Sequence, residues 1–131
     1  MTKLIKIAVD AMGGDNSPKK IIDGIIHNNK KNKKNFFKIF GNKDEILNHL
    51  GNKINENFYE IVNTNDVVKS TDSPLEAAKR GKKTSMWLSI ESVKNKETDI
   101  VISAGNTGAL LVIAKLNLKM LENIDRPALS A

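Results

Sequence analysis

Short runs of branched and aromatic residues alternate with helix-start signals along this chain, and that alternation constrains the fold more than any other feature. Leu4-Ile5-Lys6-Ile7-Ala8-Val9 ends at Asp10 and the Gly13-Gly14 pair, the pattern of a buried strand entering a loop. Ser17 then precedes Pro18, a capping residue followed by proline at the first helical position, and Ile21, Ile22, Ile25 and Ile26 share one helical face. Phe36-Phe37-Lys38-Ile39-Phe40 predicts a second strand, and Asn42 with Glu45 resembles a capping box ahead of Ile46, Leu47 and Leu50.

The same unit recurs further on. A third strand is predicted over 58–62, and the loop 67–72 leads to Ser73-Pro74-Leu75-Glu76, where a helix should start that Gly81 ends. Residues 85–93 carry Met86, Trp87, Leu88, Ile90 and Val93 at mixed spacing, which suits a largely buried helix with Trp87 as packing. Ile100-Val101-Ile102 predicts another strand ending at Ser103-Ala104-Gly105, and residues 110–121 a long apolar helix. Strands alternating with helices imply an α/β protein, a mostly parallel sheet covered on both faces. Arg126-Pro127-Ala128-Leu129 reads as the approach to a further strand, so residues 1–131 are expected to be the N-terminal part of a single α/β catalytic domain.

Composition narrows the function classes. The 131 residues suffice for one core, and 40% hydrophobic with 27% charged residues is ordinary for a globular protein. Cysteine is absent, which removes disulfides, thiolate metal sites and a cysteine nucleophile, and fits a cytoplasmic protein. No signal-peptide core and no long uninterrupted apolar stretch is present. The net charge is +6, yet of 21 basic residues only Arg80 and Arg126 are arginine, the residue that reads bases and grips phosphates in two places at once. Nucleic acid is therefore not the expected partner, and Lys30, Lys31, Lys33 and Lys34 read as a solvated loop.

Ligands of an open parallel sheet bind beyond the carboxyl ends of its strands. Two segments occupy that position. Asp10-Ala11-Met12-Gly13-Gly14-Asp15-Asn16 follows the first strand; its glycines permit close backbone approach to a ligand, and Asp10 and Asp15 suit a hydroxyl, a metal or a helix N-terminus. Equally, Gly13 and Gly14 serve simply to turn the chain while Asp15 supports the next cap. Ser103-Ala104-Gly105-Asn106-Thr107-Gly108-Ala109 leaves the fourth strand; Gly105 and Gly108 expose backbone N–H groups and Asn106 and Thr107 add donors, the parts of a phosphate cradle. The plainer reading is a Gly-rich turn with Thr107 as cap. Neither G-x-G-x-x-G nor the P-loop lysine signature occurs, no metal cluster can be assembled, and His27 and His49 lie among polar helical residues away from both loops, so no cofactor or metal is expected.

Asp10-Ala11-Met12-Gly13-Gly14-Asp15, Lys83-Thr84-Ser85-Met86, Ser103-Ala104-Gly105-Asn106-Thr107-Gly108-Ala109-Leu110 and Arg126-Pro127-Ala128 together resemble the PlsX phosphate acyltransferase family in order and spacing. The resemblance spans the chain. It implies a Rossmann-like three-layer α/β/α sandwich related to the isocitrate and isopropylmalate dehydrogenases and to phosphotransacetylases. It further implies conversion of acyl-acyl carrier protein and inorganic phosphate into acyl phosphate for phospholipid synthesis. Homodimers that associate peripherally with the membrane, and a downstream membrane glycerol-3-phosphate acyltransferase, are implied as well. Two features depart from the family pattern: Asn16 stands where members often carry histidine, and members are more than twice this long.

Since phosphate is itself an anionic nucleophile, direct attack on the thioester is expected, with residues 105–108 holding phosphate or the developing oxyanion. Asp10, Gly13, Gly14, Asp15, Ser103, Gly105, Asn106, Thr107 and Gly108 are the expected substrate-binding residues. Bare carboxylates would repel phosphate, so Asp10 and Asp15 are expected to order the loop backbone or lysines such as Lys82 and Lys83. A phosphotransacetylase or a decarboxylating dehydrogenase on the related fold, and a basic nucleic-acid-binding domain, are the competing readings, separable by coenzyme A dependence, nicotinamide dependence and salt-sensitive duplex binding.

Overall fold

The computed structural model describes residues 4–13, 17–68, 72–75, 83–103 and 113. Four strands, β1 (Ile5–Asp10), β2 (Asn35–Gly41), β3 (Tyr59–Asn63) and β4 (Ile100–Ser103), form a sheet of order β3-β2-β1-β4 in which every pairing is parallel. The described helices are α1 (Lys19–Lys31), α2 (Lys43–Leu50) and α3 (Ser85–Lys94), with a 3-10 turn at Glu56–Phe58.

Side chains alternate across a strand, and each face of this sheet finds its own cover. Ile7, Val9, Phe37 and Ile39 turn to one side and join Ile22, Ile25 and Ile26 of α1 and Ile46 and Leu50 of α2 in a single buried cluster. On the other side α3 packs against β1, β2 and β4, with Met86 and Ile90 fully buried. Helix, sheet and helix make the three layers of a Rossmann-like α/β sandwich, as expected from the alternation of strand and helix signals.

Local signals explain most element boundaries. At α2 the expected cap is present: the Asn42 side chain accepts from the Glu45 backbone N–H at 3.0 Å and its amide donates to Asn65 at 3.1 Å. Thr84 caps α3, accepting from the Trp87 N–H at 3.2 Å, and Trp87 is buried packing, as read. The start of α1 differs. Pro18, not Ser17, is its cap residue, because its carbonyl accepts the first helical bond, from the Ile22 N–H; the proline itself has no side-chain group to cap with. The strand expected from Phe58 starts one residue later, since Phe58 closes the 3-10 turn by donating to the Asn55 carbonyl at 3.0 Å. The helix expected to run from Ser73 to Gly81 lies mostly, and that over 110–121 almost wholly, outside the described residues.

Candidate functional site

From β1 the chain moves outward through β2 to β3, then returns to place β4 on β1's other side. The winding direction therefore reverses between β1 and β4, the place where open parallel sheets take their ligands in a crevice beyond the strand ends. Asp10, the last residue of β1, and Ser103, the last of β4, are direct partners in the register. Both segments singled out in the sequence thus leave the sheet side by side.

Asp10 faces away from the aliphatic cluster, toward the α3 layer, and is 1% exposed. Ser85, the first residue of α3, donates its hydroxyl to Asp10 Oδ1 at 2.6 Å, Ser103 donates to Oδ2 at 2.8 Å, and the Met12 N–H donates to Oδ1 at 3.2 Å. Burial drives the Asp10 pKa above its ordinary 3.8, while the Ser85, Ser103 and Met12 bonds pull the other way. With water excluded, the carboxylate must take its hydrogen bonds from the protein.

The chain leaving β3 delivers Ser85 to this point. Asp66 forms an isolated parallel bridge with Thr84 and its carbonyl accepts from the Ser85 N–H at 3.0 Å, while the Thr64 hydroxyl donates to the Lys83 carbonyl at 2.5 Å. On the side of β2, Ala11 N–H donates to the Phe40 carbonyl at 3.1 Å, and the Met12 side chain lies over Gly41. A Cβ at Gly41 would stand 2.7 Å from Met12 Cγ and 3.1 Å from Ile46 Cδ1, so only glycine admits Met12 in this position.

Of the expected site residues, Asp10 and Ser103 are brought together and hydrogen-bonded, and Gly13 lies in the bend three residues past β1. Gly14, Asp15, Gly105, Asn106, Thr107 and Gly108 lie outside the described residues, as do Asn16 and Lys82. Asp10 takes one bond from the loop backbone, the Met12 N–H, as expected, and two from serine hydroxyls; among the described residues no lysine bonds to it. His27 is exposed on α1 and His49 half-buried on α2, neither near Asp10's partners. Sequence reasoning missed Ser85 as a site residue; the signal was a Thr-Ser pair opening a helix, one to cap it and one left over. Among the described residues no group of three or more His, Cys, Asp or Glu side chains could hold a metal ion.

Fold and crevice define a class: a parallel α/β protein with a topological switch point built from a buried carboxylate and two serines. Residues 5–131 match the family model described as fatty acid synthesis protein, and the chain belongs to that family. It is 70% identical over all its 131 residues to the phosphate acyltransferase of Pelagibacter ubique (strain HTCC1062), covering 39% of that protein. The phosphate acyltransferase of Listeria innocua serovar 6a is 42% identical over 126 residues, 96% of this chain and 36% of that one. That of Bradyrhizobium sp. (strain BTAi1) is 41% identical over 133 aligned positions, all of this chain and 38% of the relative. The chain thus spans well under half the length of the curated relatives it matches.

Proposed function

We propose that this chain is the N-terminal part of the catalytic domain of an acyltransferase that forms acyl phosphate from acyl-acyl carrier protein and inorganic phosphate. The observation that carries the reading is the 70% identity, along the whole chain, to a protein named phosphate acyltransferase. The parallel register of Asp10 with Ser103 supports it, since it starts both candidate loops from adjacent strand ends.

In the reaction an oxygen of hydrogen phosphate attacks the thioester carbonyl carbon, a C–O bond forms, the C–S bond breaks, and the departing carrier thiolate takes up the proton that the hydrogen phosphate loses. Phosphate is anionic at neutral pH, so the protein need not activate a nucleophile; it must position two reactants and stabilise the carbonyl oxygen as charge develops. Residues 105–108, following β4, hold phosphate or that oxyanion, with Asn106 and Thr107 donating. Gly13, Gly14 and Asp15, which follow β1 in sequence, take part in binding the same substrates. The protein acts as a homodimer in the cytoplasm, peripherally associated with membrane, and hands its product to a membrane glycerol-3-phosphate acyltransferase. No helix among the described residues is long and apolar enough to cross a membrane.

The test uses protein from the complete reading frame that carries this sequence. Incubated with acyl-acyl carrier protein and phosphate, it should release free carrier protein and acyl phosphate, detected by mass spectrometry, only when phosphate is present. Asn106→Ala should lower kcat by on the order of 100-fold if its amide stabilises the oxyanion. A folded protein that makes no acyl phosphate overturns the assignment, and coenzyme A thioesters and nicotinamide cofactors become the next substrates to try.

A further inference from the structure

The sequence reading put Asp10 among the residues that bind substrate; its surroundings give it a different task. We propose that Asp10, Ser85 and Ser103 form a positioning triad. The buried carboxylate sets where the 103–109 segment leaves the sheet relative to the 10–16 segment, and it acts on substrate only through them. This rests on the reading of the switch point as the acyl-transfer site.

Three observations carry it. Asp10 is 1% exposed and both of its oxygens are already engaged, so a ligand cannot reach it without displacing a protein donor. The bonds join places 75 and 93 residues apart in sequence, the start of α3 and the end of β4, to the end of β1. Those are the points at which the candidate loops and the α3 layer meet. Finally, a carboxylate is a poor packing residue: burying it costs more than an apolar side chain of the same size, and what it returns is directional. Here the direction is a fork, one hydroxyl on each oxygen, that fixes both serine rotamers and with them the register of Asp10 against Ser103. A slip of one residue would turn both side chains to the opposite face.

Electrostatics point the same way. A carboxylate bare in the crevice would repel phosphate, whereas behind the sheet end, with two hydroxyls and an amide directed at it, its charge is spent inside the protein. A geometry error of about 1 Å at a reacting centre can cost about 100-fold in rate, so a residue that never touches substrate can still govern kcat.

The experiment compares Asp10→Asn, Ser85→Ala and the double variant in protein from the complete reading frame. Positioning predicts that each single change lowers kcat by about 10- to 100-fold with little change in KM for phosphate, and that the double variant is no worse than the poorer single one, because both remove the same link. If Asp10 instead faces phosphate, Asp10→Asn lowers the phosphate KM by removing a repelling charge, and Ser85→Ala does not follow; that result overturns the proposal. So does a lowered melting temperature with unchanged kcat per folded enzyme, the mark of a merely structural bond. A second readout needs no catalysis. Amide hydrogen exchange followed by mass spectrometry should rise together in the peptides covering 10–16 and 103–110 when Ser85 is changed to alanine. A rise confined to the start of α3 refutes the triad even if acyl phosphate is made, and the joint rise sustains it even if acyl phosphate is not.

Discussion

Removing the Ser85 hydroxyl should cost stability in a way that depends on pH, and both size and sign follow from Asp10. The Ser85–Asp10 bond is 2.6 Å long, within the range of hydroxyl-to-carboxylate bonds, and neither partner is more than 1% exposed, so no solvent replaces the lost donor. A hydrogen bond to a charged group contributes about 1.5–3 kcal/mol, and the length and burial place this one in the upper half of that range; between neutral groups the figure is about 0.5–1.5 kcal/mol. The folded-state pKa of Asp10 lies above its ordinary 3.8, so the folded protein holds this proton more tightly than the unfolded chain. As pH rises from 3.8 through the folded value, stability falls by this group's contribution, and it is level above. Ser85→Ala takes away a bond that lowers that pKa, which raises it further and extends the falling window upward. The destabilisation should therefore be about 2–3 kcal/mol at a pH above the folded-state value, where the carboxyl is charged, and about 1 kcal/mol at a pH below it, where the carboxyl is protonated. Urea unfolding of wild type and variant at both pH values gives the two differences directly. Equal differences would refute the reasoning, for they would mean that the charge on Asp10 plays no part in what Ser85 contributes.

Gly41→Ala should destabilise by about 1–3 kcal/mol, because a Cβ there would stand 2.7 Å from Met12 Cγ and 3.1 Å from Ile46 Cδ1 and the backbone φ of +159° is one that side-chain-bearing residues rarely adopt. Urea unfolding should also show Met12→Ala relieving only part of that loss, since the Ile46 contact and the φ remain. Asn29→Leu should change stability by no more than about 1 kcal/mol in the same measurement and toward greater stability, since relief of the buried Nδ2, which has no hydrogen-bond partner among the described residues, outweighs the bond that Oδ1 accepts from exposed Lys33 at 2.9 Å. On the proposed reading, the +6 charge of these 131 residues helps to steer an acidic carrier protein, so the rate at low carrier concentration should fall as salt rises; a rate indifferent to salt removes the steering.

The sheet was legible because its central strands, β1 and β2, are buried over most of their length and read as apolar runs broken only by Lys6 and Lys38, whereas the outer strands β3 and β4 are mostly half-buried. Ile5 to Val9 and Phe36 to Phe40 could hardly be anything else once helix-start signals followed each. Boundaries were less secure where two local signals compete within one residue, as at Ser17 against Pro18, and at Phe58, where the Asn55 side chain and carbonyl draw the preceding residues into a turn. The helix over 85–94 was readable as buried, though for an incomplete reason. Its mixed spacing arises because Ser85, Ser89 and Ser92 are core residues too: Ser89 donates to the Met86 carbonyl at 2.9 Å, Ser92 to the Ser89 carbonyl at 2.6 Å, and Ser85 to Asp10. Hydroxyls that bond backward within their own helix bury almost as readily as methyl groups, so hydropathy alone undercounts that face.

The same limit explains why the site was half visible. Position in a parallel sheet follows from local pattern, and it was enough to put Asp10 and Ser103 at strand ends where ligands bind. Partnership does not follow. Nothing near Asp10 in sequence announces a serine 75 residues away, and a carboxylate just before a Gly-Gly pair reads naturally as a ligand-facing group. What separates the two roles is solvent: an exposed carboxylate is free to meet a ligand, whereas one at 1% exposure must be satisfied before any ligand arrives. The fork of Ser85 and Ser103 meets that requirement, and in doing so couples the α3 layer to both loops. A change at Ser85, remote in sequence from either loop, should accordingly be felt at both.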